Sequence, residues 1–363
     1  METAVSGGIH PGLLNQRISA IIDYLHARQG EDGEFPTLRY FCREVGDYVT
    51  PTEFPEWHHF GKCPFAVANI VHHITHIDHP KVREIVRKGC DYLARGMEAN
   101  GVARYVAGYA QPVYFPADID DTVLALMVLR QHGSPFVDNR QMLTRNVDRN
   151  GRFYTWFMPR WRHAPGPGNL AWLIRDYRTF EPRLREKSLA YRDHMIKEFR
   201  ESMEPGILAN VALYLGENRV TRRAIASVVA DVERGTVYLG YYNELLFAYF
   251  HIARAVAGGI TAFGRLKDRI VAEVVARQDQ DGCVRDGFAT AVAALTLMDL
   301  ECWDHEALAR AIGRLADDPM FESGWVPQHY CNDLDGIFLD GGAELTAAFF
   351  LAALERWRER QPG

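Results

Sequence analysis

Excess positive charge, paired cysteines and long apolar runs are all scarce in this chain of 363 residues. Lys and Arg number 41 against 47 Asp and Glu, which gives a formal net charge of −6. That balance excludes the basic surface with which proteins bind nucleic acid or an anionic membrane. The six cysteines are scattered without a C-x-x-C pair, which excludes a disulfide scaffold and predicts reduced thiols in a cytoplasmic protein.

The apolar runs are short. The longest, residues 289–298 and 346–354, cannot span a bilayer. Residues 1–8 lack the basic and then apolar order of a secretory signal peptide. The sequence therefore predicts a protein without an integral membrane segment.

Strand-like alternation of apolar and polar residues is also missing. The chain has instead a repeated unit: an amphipathic helix, a polar turn containing glycine, and a second helix that is apolar nearly all round. The clearest turns are residues 31–35 and 280–284, and weaker copies lie at 100–102, 150–153 and 323–325.

The second helices of the units have no polar face, so they must be covered on all sides. They are predicted at residues 63–77, 120–131, 205–215, 242–257, 287–300 and 343–357. Six buried helices inside six amphipathic ones form an (α/α)6 barrel, so the predicted fold is all-α with a single domain over residues 1–363. An additional basic helix is predicted near residues 184–203.

The loops that precede the inner helices should gather at one end of this barrel, which we call the mouth. The longest loops are predicted there, at residues 35–62, 101–117, 151–168 and 322–342. Because long loops in a compact domain usually bind ligands or cover a site, the mouth is the predicted functional face.

Three carboxylates within four positions open the second inner helix: Asp118, Asp120 and Asp121. One Asp would be explained as a helix cap. Three cannot all ionise cheaply at such close range, so at least one should keep its proton at neutral pH. A protonated Asp that faces an apolar interior is a strong acid toward a weak base such as an alkene. The cluster therefore predicts a general acid, with capping and metal binding as the alternatives.

Residues 116–122, Pro-Ala-Asp-Ile-Asp-Asp-Thr, resemble the Asp-x-Asp-Asp-Thr motif of class II terpene cyclases and squalene-hopene cyclases. The glycine turns resemble the repeated Gln-x-x-x-Gly-x-Trp elements of that family, although only Trp325 keeps the Trp, and residues 341–348 are similar to its last inner helix. The resemblance implies that Asp120 protonates an alkene while Asp118 and Asp121 hold it in place. It implies a cyclase that converts farnesyl or geranylgeranyl diphosphate to a bicyclic diphosphate, here without the second helical domain common in the family.

A migrating carbocation requires aromatic faces and the absence of nucleophiles. The aromatic candidates for substrate binding are Tyr114, Phe115, Tyr154, Trp156, Tyr242, Trp325 and Phe338, with ordinary core packing as the alternative for each. Arg160 and Arg162 of the third mouth loop are candidates for clamping the diphosphate together with Mg2+. A solvated basic turn is the alternative for these two.

Acidic residues also gather before the last inner helix. Asp335, Asp340 and Glu344 are candidate Mg2+ ligands, and a solvated acidic loop is the alternative. His72 and His76 have the spacing of a helical metal pair, but no Glu stands between them as in H-E-x-x-H, so a polar core or surface role is favoured.

Two other functions stay open at this point. Barrels of the (α/α)6 type also serve glycoside hydrolysis, for which Asp120 would need a partner such as Asp335 or Glu244. A lipid-binding barrel without catalysis, in which the Asp cluster is only a cap, is the other. The predicted partner is a small molecule, a polyprenyl substrate under the leading hypothesis, and the sequence leaves a homodimer open.

Overall fold

The computed structural model describes residues 9–41, 58–61, 63–105, 116–160, 166–185, 189–242, 244–332 and 338–361. Within these ranges the chain forms fifteen α-helices, a short 3-10 helix and four strands. None of the helices in these ranges is both long and apolar enough to cross a bilayer.

Six helices form an inner ring. They are α2 (Pro64–Ile74), α4 (Ile119–Gln131), α8 (Pro205–Leu215), α10 (Leu245–Ala257), α12 (Gly287–Asp299) and α15 (Ala343–Arg360). Each packs against the next, and α15 packs against α2, so the ring is closed. Nearly every residue of these helices is buried, which explains why they lack a polar face. The predicted all-α barrel is confirmed, and the predicted inner helices agree with the observed ones to within a few residues.

An outer layer of amphipathic helices covers the ring. It consists of α1 (Pro11–Arg28), α3 (Pro80–Gly96), α5 (Arg140–Arg145), α9 (Thr221–Arg234), α11 (Lys267–Ala276), which follows a 3-10 helix at Thr261–Leu266, and α13 (Glu306–Ala316). The sequence analysis did not identify α9. Two further helices, α6 (Gly166–Arg185) and α7 (Leu189–Glu201), lie between α5 and α8 and break the regular spacing of the units. The predicted basic helix corresponds to α7. A single turn, α14 (Met320–Ser323), follows α13.

Four of the five predicted glycine turns share one backbone geometry. Gly33, Gly101, Gly151 and Gly282 all have positive φ, between 76° and 93°. In each turn the glycine amide donates to the carbonyl three residues earlier, and the amide of that earlier residue donates to the carbonyl that follows the glycine. Only glycine adopts this left-handed conformation without strain, so the repeat depends on these four positions.

Two of these turns are also tied to the next outer helix by a glutamine. Gln29 Nε2 donates to Gly33 O at 3.2 Å and to Ile85 O at 3.0 Å, and Ile85 lies in α3. Gln278 Nε2 does the same with Gly282 O at 3.1 Å and with a carbonyl of α13 at 2.8 Å. The glutamines therefore link consecutive units around the barrel.

A small antiparallel sheet lies at the mouth, which the sequence analysis did not predict. Its strands are β1 (Thr37–Phe41), β2 (His58–Gly61), β3 (His329–Asn332) and β4 (Phe338–Gly341), in the order β2-β1-β4-β3. Strands of four or five residues are too short to show alternation. They pair because closure of the ring brings the first and last mouth loops side by side, with Leu38 opposite Gly341.

Candidate active site

The three carboxylates lie at the mouth end of α4, and all three are buried. Asp118 is the N-cap of α4 and accepts a hydrogen bond from the Asp121 amide at 2.8 Å. Its carbonyl accepts from the Thr122 hydroxyl at 2.6 Å, and Thr122 in turn accepts from the Ala103 amide at 2.9 Å. Capping therefore accounts for Asp118 and fixes the start of the helix. It does not account for Asp120.

Asp120 is bound by side chains of neighbouring inner elements. Asn210 of α8 donates to Oδ1 at 2.7 Å, and the Tyr242 hydroxyl, just before α10, donates to Oδ2 at 2.6 Å. Only 6% of the surface of Asp120 is exposed. Its side chain joins α4 to α8 and to the segment just before α10. A merely capping carboxylate would bond to backbone amides at the helix start. The arrangement favours a chemical role for Asp120.

Burial governs the protonation of Asp120. It raises the pKa of this carboxyl, while the hydrogen bonds from Tyr242 and Asn210 and the charge of Arg254 oppose the rise. The same three groups would stabilise the carboxylate that remains after the proton has left. The site thus combines a carboxyl of raised pKa with groups that stabilise its conjugate base, which are the two properties that an acid catalyst needs.

Asp118 and Asp121 form a carboxyl pair beside Asp120. Burial raises the pKa of Asp118 to about 7, and burial together with the charge of Asp118 raises the pKa of Asp121 well above its usual value. The two carboxyls interact directly, and the negative charge of Asp118 favours the protonated form of Asp121. The pair therefore shares a proton and limits the negative charge beside Asp120.

Arg254 of α10 sets the orientation of Asn210. Its Nη2 atom lies 2.5 Å from Asn210 Oδ1. Because a guanidinium can only donate, the amide oxygen of Asn210 must face Arg254 and its NH2 group must face Asp120. Neither residue was predicted from the sequence. Their signal was a strongly polar residue in a largely apolar helix, which must find a partner when it is buried.

Glu204 fixes the segment that carries Tyr242. This fully buried carboxylate accepts from the amides of Tyr241, at 3.1 Å, and Tyr242, at 2.9 Å. Burial raises its pKa to about 8, and the backbone amides oppose the rise. Glu204 was not predicted as a site residue from the sequence, although a Glu at the start of an apolar helix was a usable signal.

Aromatic rings from several inner elements meet inside the ring. Phe65 of α2 stacks on Tyr330 with centroids 5.4 Å apart and lies 6.5 Å from Tyr242. On another side of the ring, Phe349 of α15 lies 4.9 Å from Phe288 of α12. Tyr242, a predicted substrate-binding residue, therefore joins the acid to an aromatic interior.

Comparison with known proteins agrees with this architecture. No family model matches the chain, and no curated protein matches it by sequence. Among solved structures, the type II terpene cyclase MstE from Scytonema, in complex with merosterolic acid A, matches with a TM-score of 0.66 at 17% identity, over 96% of this chain and 98% of that chain. The ent-copalyl diphosphate synthase from Streptomyces platensis matches with a TM-score of 0.50 at 15% identity, over 98% and 70%. The chain has the fold of a type II terpene cyclase.

Tyr154 and Trp156, two other aromatic candidates, lie in the third mouth loop beside the Asp cluster. Trp156 pairs through its backbone with Asp118, and its ring packs 5.0 Å from Phe199 of α7 and donates from Nε1 to the Tyr241 hydroxyl at 2.6 Å. The guanidinium of Arg160 lies 3.6 Å from the centre of the Tyr154 ring. Both contacts hold the third mouth loop.

Arg160 is occupied within the protein. Its Nη1 atom donates to the Asn146 side chain and the Trp156 carbonyl, and its Nη2 atom donates to the carbonyls of Phe199 and Arg200, all within 3.3 Å. Four of its five N–H groups therefore bind α7, the third mouth loop and Asn146 at the end of α5. This arrangement favours a structural role over the predicted clamp on a diphosphate.

Trp325 lies on the outer side of the ring. Its indole packs 5.2 Å from Phe350 and 5.7 Å from Tyr24 of α1, whereas the neighbouring Phe349 is the ring of α15 that joins the inner aromatic residues. This position favours core packing for Trp325. Phe338 lies in strand β4 at the mouth, and its side chain is outside the described residues. The same holds for Tyr114, Phe115 and Arg162 as whole residues.

The predicted Mg2+ ligands are not assembled in the described part of the chain. Glu344 is buried and accepts from Arg28 Nε at 2.7 Å, and Asp340 accepts from the Tyr105 hydroxyl at 3.0 Å. No group of three metal-ligating side chains occurs among the residues that the structure covers. Asp335 lies outside the described residues. These partners do not fit a magnesium site at Asp340 and Glu344, and Mg2+ binding stays a prediction.

The hydroxyl of Tyr242 gives a direct test of this site. Tyr242→Phe keeps the ring but removes the donor to Asp120 Oδ2, so the conjugate base of the acid loses one hydrogen bond. A bond to a charged group contributes about 1.5–3 kcal/mol, so the rate of substrate protonation should fall about 10- to 100-fold. The measurement is single-turnover consumption of a polyprenyl substrate.

Tyr241→Phe is the matched control, because its hydroxyl bonds to Trp156 rather than to Asp120. It should lower stability without a comparable loss of rate. Equal loss of rate in the two variants would contradict the assigned role of Tyr242.

Proposed function

We propose that this protein is a class II terpene cyclase, in which Asp120 protonates the terminal alkene of a linear polyprenyl substrate and starts its cyclisation. The observation that carries the proposal is the placement of Asp120. It is a buried carboxyl with a raised pKa, held by Asn210 and Tyr242 at the edge of an aromatic interior.

The chemistry follows from that placement. The alkene takes the proton of Asp120 and becomes a tertiary carbocation, which the next double bond of the chain attacks to close a ring. Asn210 and Tyr242 hold the carboxylate left behind, so that it does not have to be solvated by water. The rings of Phe65, Phe288 and Phe349 offer π faces to the moving positive charge and exclude nucleophiles.

We propose that the substrate is a farnesyl or geranylgeranyl chain that becomes bicyclic, and that diphosphate is the first candidate for its head group. MstE was solved in complex with geranylgeranyl dihydroxybenzoate, so a polyprenyl aromatic acid is a second candidate head group. The internal bonding of Arg160 removes one expected diphosphate ligand and favours testing both.

The described residues give less support to glycoside hydrolysis. Glu244, one candidate partner of Asp120, is paired with Arg285. Asp335, the other, lies outside the described residues. Glu204 is a buried acid near Asp120, but it is bonded to two backbone amides and so serves the loop.

The test is incubation of the purified protein with farnesyl diphosphate, geranylgeranyl diphosphate and geranylgeranyl dihydroxybenzoate, each with and without Mg2+. Diphosphate products are treated with phosphatase, and extracts are analysed by mass spectrometry. A cyclase gives products that are isomeric with the substrate, or with its dephosphorylated alcohol, and that have fewer double bonds. Tight binding without conversion would indicate a lipid-binding barrel. If the conversion of one substrate stops when Mg2+ is omitted, the binding of its head group depends on the metal.

A further inference from the structure

Cyclisation that begins with a proton must also dispose of a positive charge. If the product is an alkene, a C–H bond next to the final carbocation breaks, and its proton needs an acceptor. Asp120 has become a carboxylate by then, but two donors hold its oxygens. The inference that follows rests on the proposed function and concerns this second proton transfer.

His73 of α2 lies inside the ring among aromatic side chains. Its imidazole centroid is 4.3 Å from that of Phe349 of α15 and 5.5 Å from that of Phe250 of α10. Since α2 and α10 stand on opposite sides of the ring of six, the contact with Phe250 spans the interior. His73 is therefore part of the inner lining, on the same aromatic surface as Phe288.

One nitrogen of this imidazole has no hydrogen-bond partner. Nε2 of His73 is buried, and no donor or acceptor among the described residues reaches it. Burial is the main reason that the pKa of His73 lies well below its usual value, with the charges of His72 and Arg254 adding to it. The ring is therefore neutral, and in the tautomer with the proton on Nδ1 its Nε2 lone pair is unused.

The second buried histidine of the interior differs in this respect. His251 lies 4.7 Å from the Tyr242 ring, and its Nδ1 faces Arg254 Nη2 at 3.2 Å. Because arginine only donates, Nδ1 of His251 is the acceptor and its proton is on Nε2. The lone pair of His251 is thus already engaged. His72 also has a buried nitrogen without a partner, Nδ1, but its ring packs against His73, whereas His73 itself contacts Phe250 and Phe349. His73 is therefore the neutral base in contact with the aromatic lining.

We propose that Nε2 of His73 is the base that ends the reaction, by taking a proton from the carbon next to the final carbocation of a cyclised polyprenyl chain. The electron pair of the broken C–H bond forms the new double bond, and His73 becomes an imidazolium. Burial makes this cation unfavourable, so it gives its proton to water when the product leaves. Asp120 recovers a proton from water in the same step, and the enzyme returns to its starting state.

The test replaces the base but keeps the ring. His73→Phe retains an aromatic side chain against Phe250 and Phe349 and leaves Asp120 untouched. We expect substrate to be consumed within about tenfold of the wild-type rate, because protonation is intact. The ratio of the wild-type alkene to all other products should fall at least tenfold in favour of water-quenched alcohols or isomeric alkenes. Products are separated and quantified by gas chromatography with mass detection after incubation with geranylgeranyl diphosphate or geranylgeranyl dihydroxybenzoate, whichever the wild type converts.

His76→Phe is the matched control, because it makes the same substitution at an exposed position just past the end of α2 and should leave the product ratio unchanged. His72→Phe tests the neighbouring buried nitrogen, and a fall in the ratio in that variant but not in His73→Phe would overturn the proposal. His73→Gln is a second variant in case His73→Phe does not fold, as judged by its circular dichroism. An unchanged product ratio in a folded His73 variant would overturn the proposal and assign the proton to Asp120 or to water. The proposed function fails differently, since the wild type itself would then consume no polyprenyl substrate.

Discussion

Asp120→Asn should abolish cyclisation, with a loss of about 10³-fold or more, while the protein remains folded. The amide has no acidic proton to give to an alkene. The measurement is consumption of a polyprenyl substrate in a single turnover, with enzyme in excess, so that even slow conversion is detected by mass spectrometry.

The variant should fold because the site can accommodate an amide. The carbonyl oxygen of an asparagine at this position can accept from Asn210, and its NH2 group can donate to the Tyr242 hydroxyl, which accepts as well as donates. The circular dichroism spectrum and the melting temperature should therefore stay close to those of the wild type. Asp118→Asn, which retains a good helix cap, is the control and should reduce the rate less.

Either of two outcomes would contradict this assignment. Full activity in the folded Asp120→Asn variant would mean that the proton comes from another group. Loss of helical content would mean that Asp120 is structural. The wild-type rate offers a further check: because the acid must be protonated, turnover should fall as pH rises through the raised pKa of Asp120.

Gly282→Ala should cause a large loss of stability, about 3 kcal/mol or more. Two effects add at this position. Gly282 has a φ of +93°, a left-handed conformation that side chains rarely adopt, and a methyl group would overlap the backbone carbonyl of Arg310 in α13. The backbone of α13 would have to move away from the turn, and the Gln278 bonds to both would weaken.

Gly324→Ala separates the two effects. Its φ is +95°, but a methyl group there would meet nothing within 4 Å. It should therefore cost only the conformational strain, about 1 kcal/mol. The free energies of unfolding are measured by urea denaturation. Equal losses in both variants would show that the contact with α13 does not matter and would weaken the view of the turn as a link between units.

The regular parts of the molecule were accessible to sequence analysis because their signals are local. The inner helix that became α12 was predicted within a residue, since a run without a polar face must be buried. The glycine turns could also be predicted, because glycine is the residue that most readily adopts a positive φ and so marks the turn in the sequence. Where the spacing broke, an additional helix was predicted at the position of α7, but α6 and α9 were missed.

The site divides in the same way. Asp118, Asp120 and Asp121 are adjacent in sequence, so their crowding and their position at a helix start could be predicted. Asn210 lies 90 residues from Asp120 and Tyr242 lies 122 residues away, so only the packing of inner elements brings them to the carboxyl. Tyr242 was proposed as an aromatic surface, and its hydroxyl proved to bind the acid.

Sequence by itself determined which helices are buried, where the chain turns, and where three carboxylates crowd together, because each of these depends on residues within about one helical turn of one another. Tertiary structure alone decided what faces each side chain. Closure of the ring paired the mouth strands. The packing of distant segments also engaged four N–H groups of Arg160 with carbonyl and amide oxygens, and it placed Trp325 on the outer side of the ring and His73 on the inner side. Those positions depend on contacts between distant segments, and the hydrophobic periodicity of a helix does not specify which other segment it contacts.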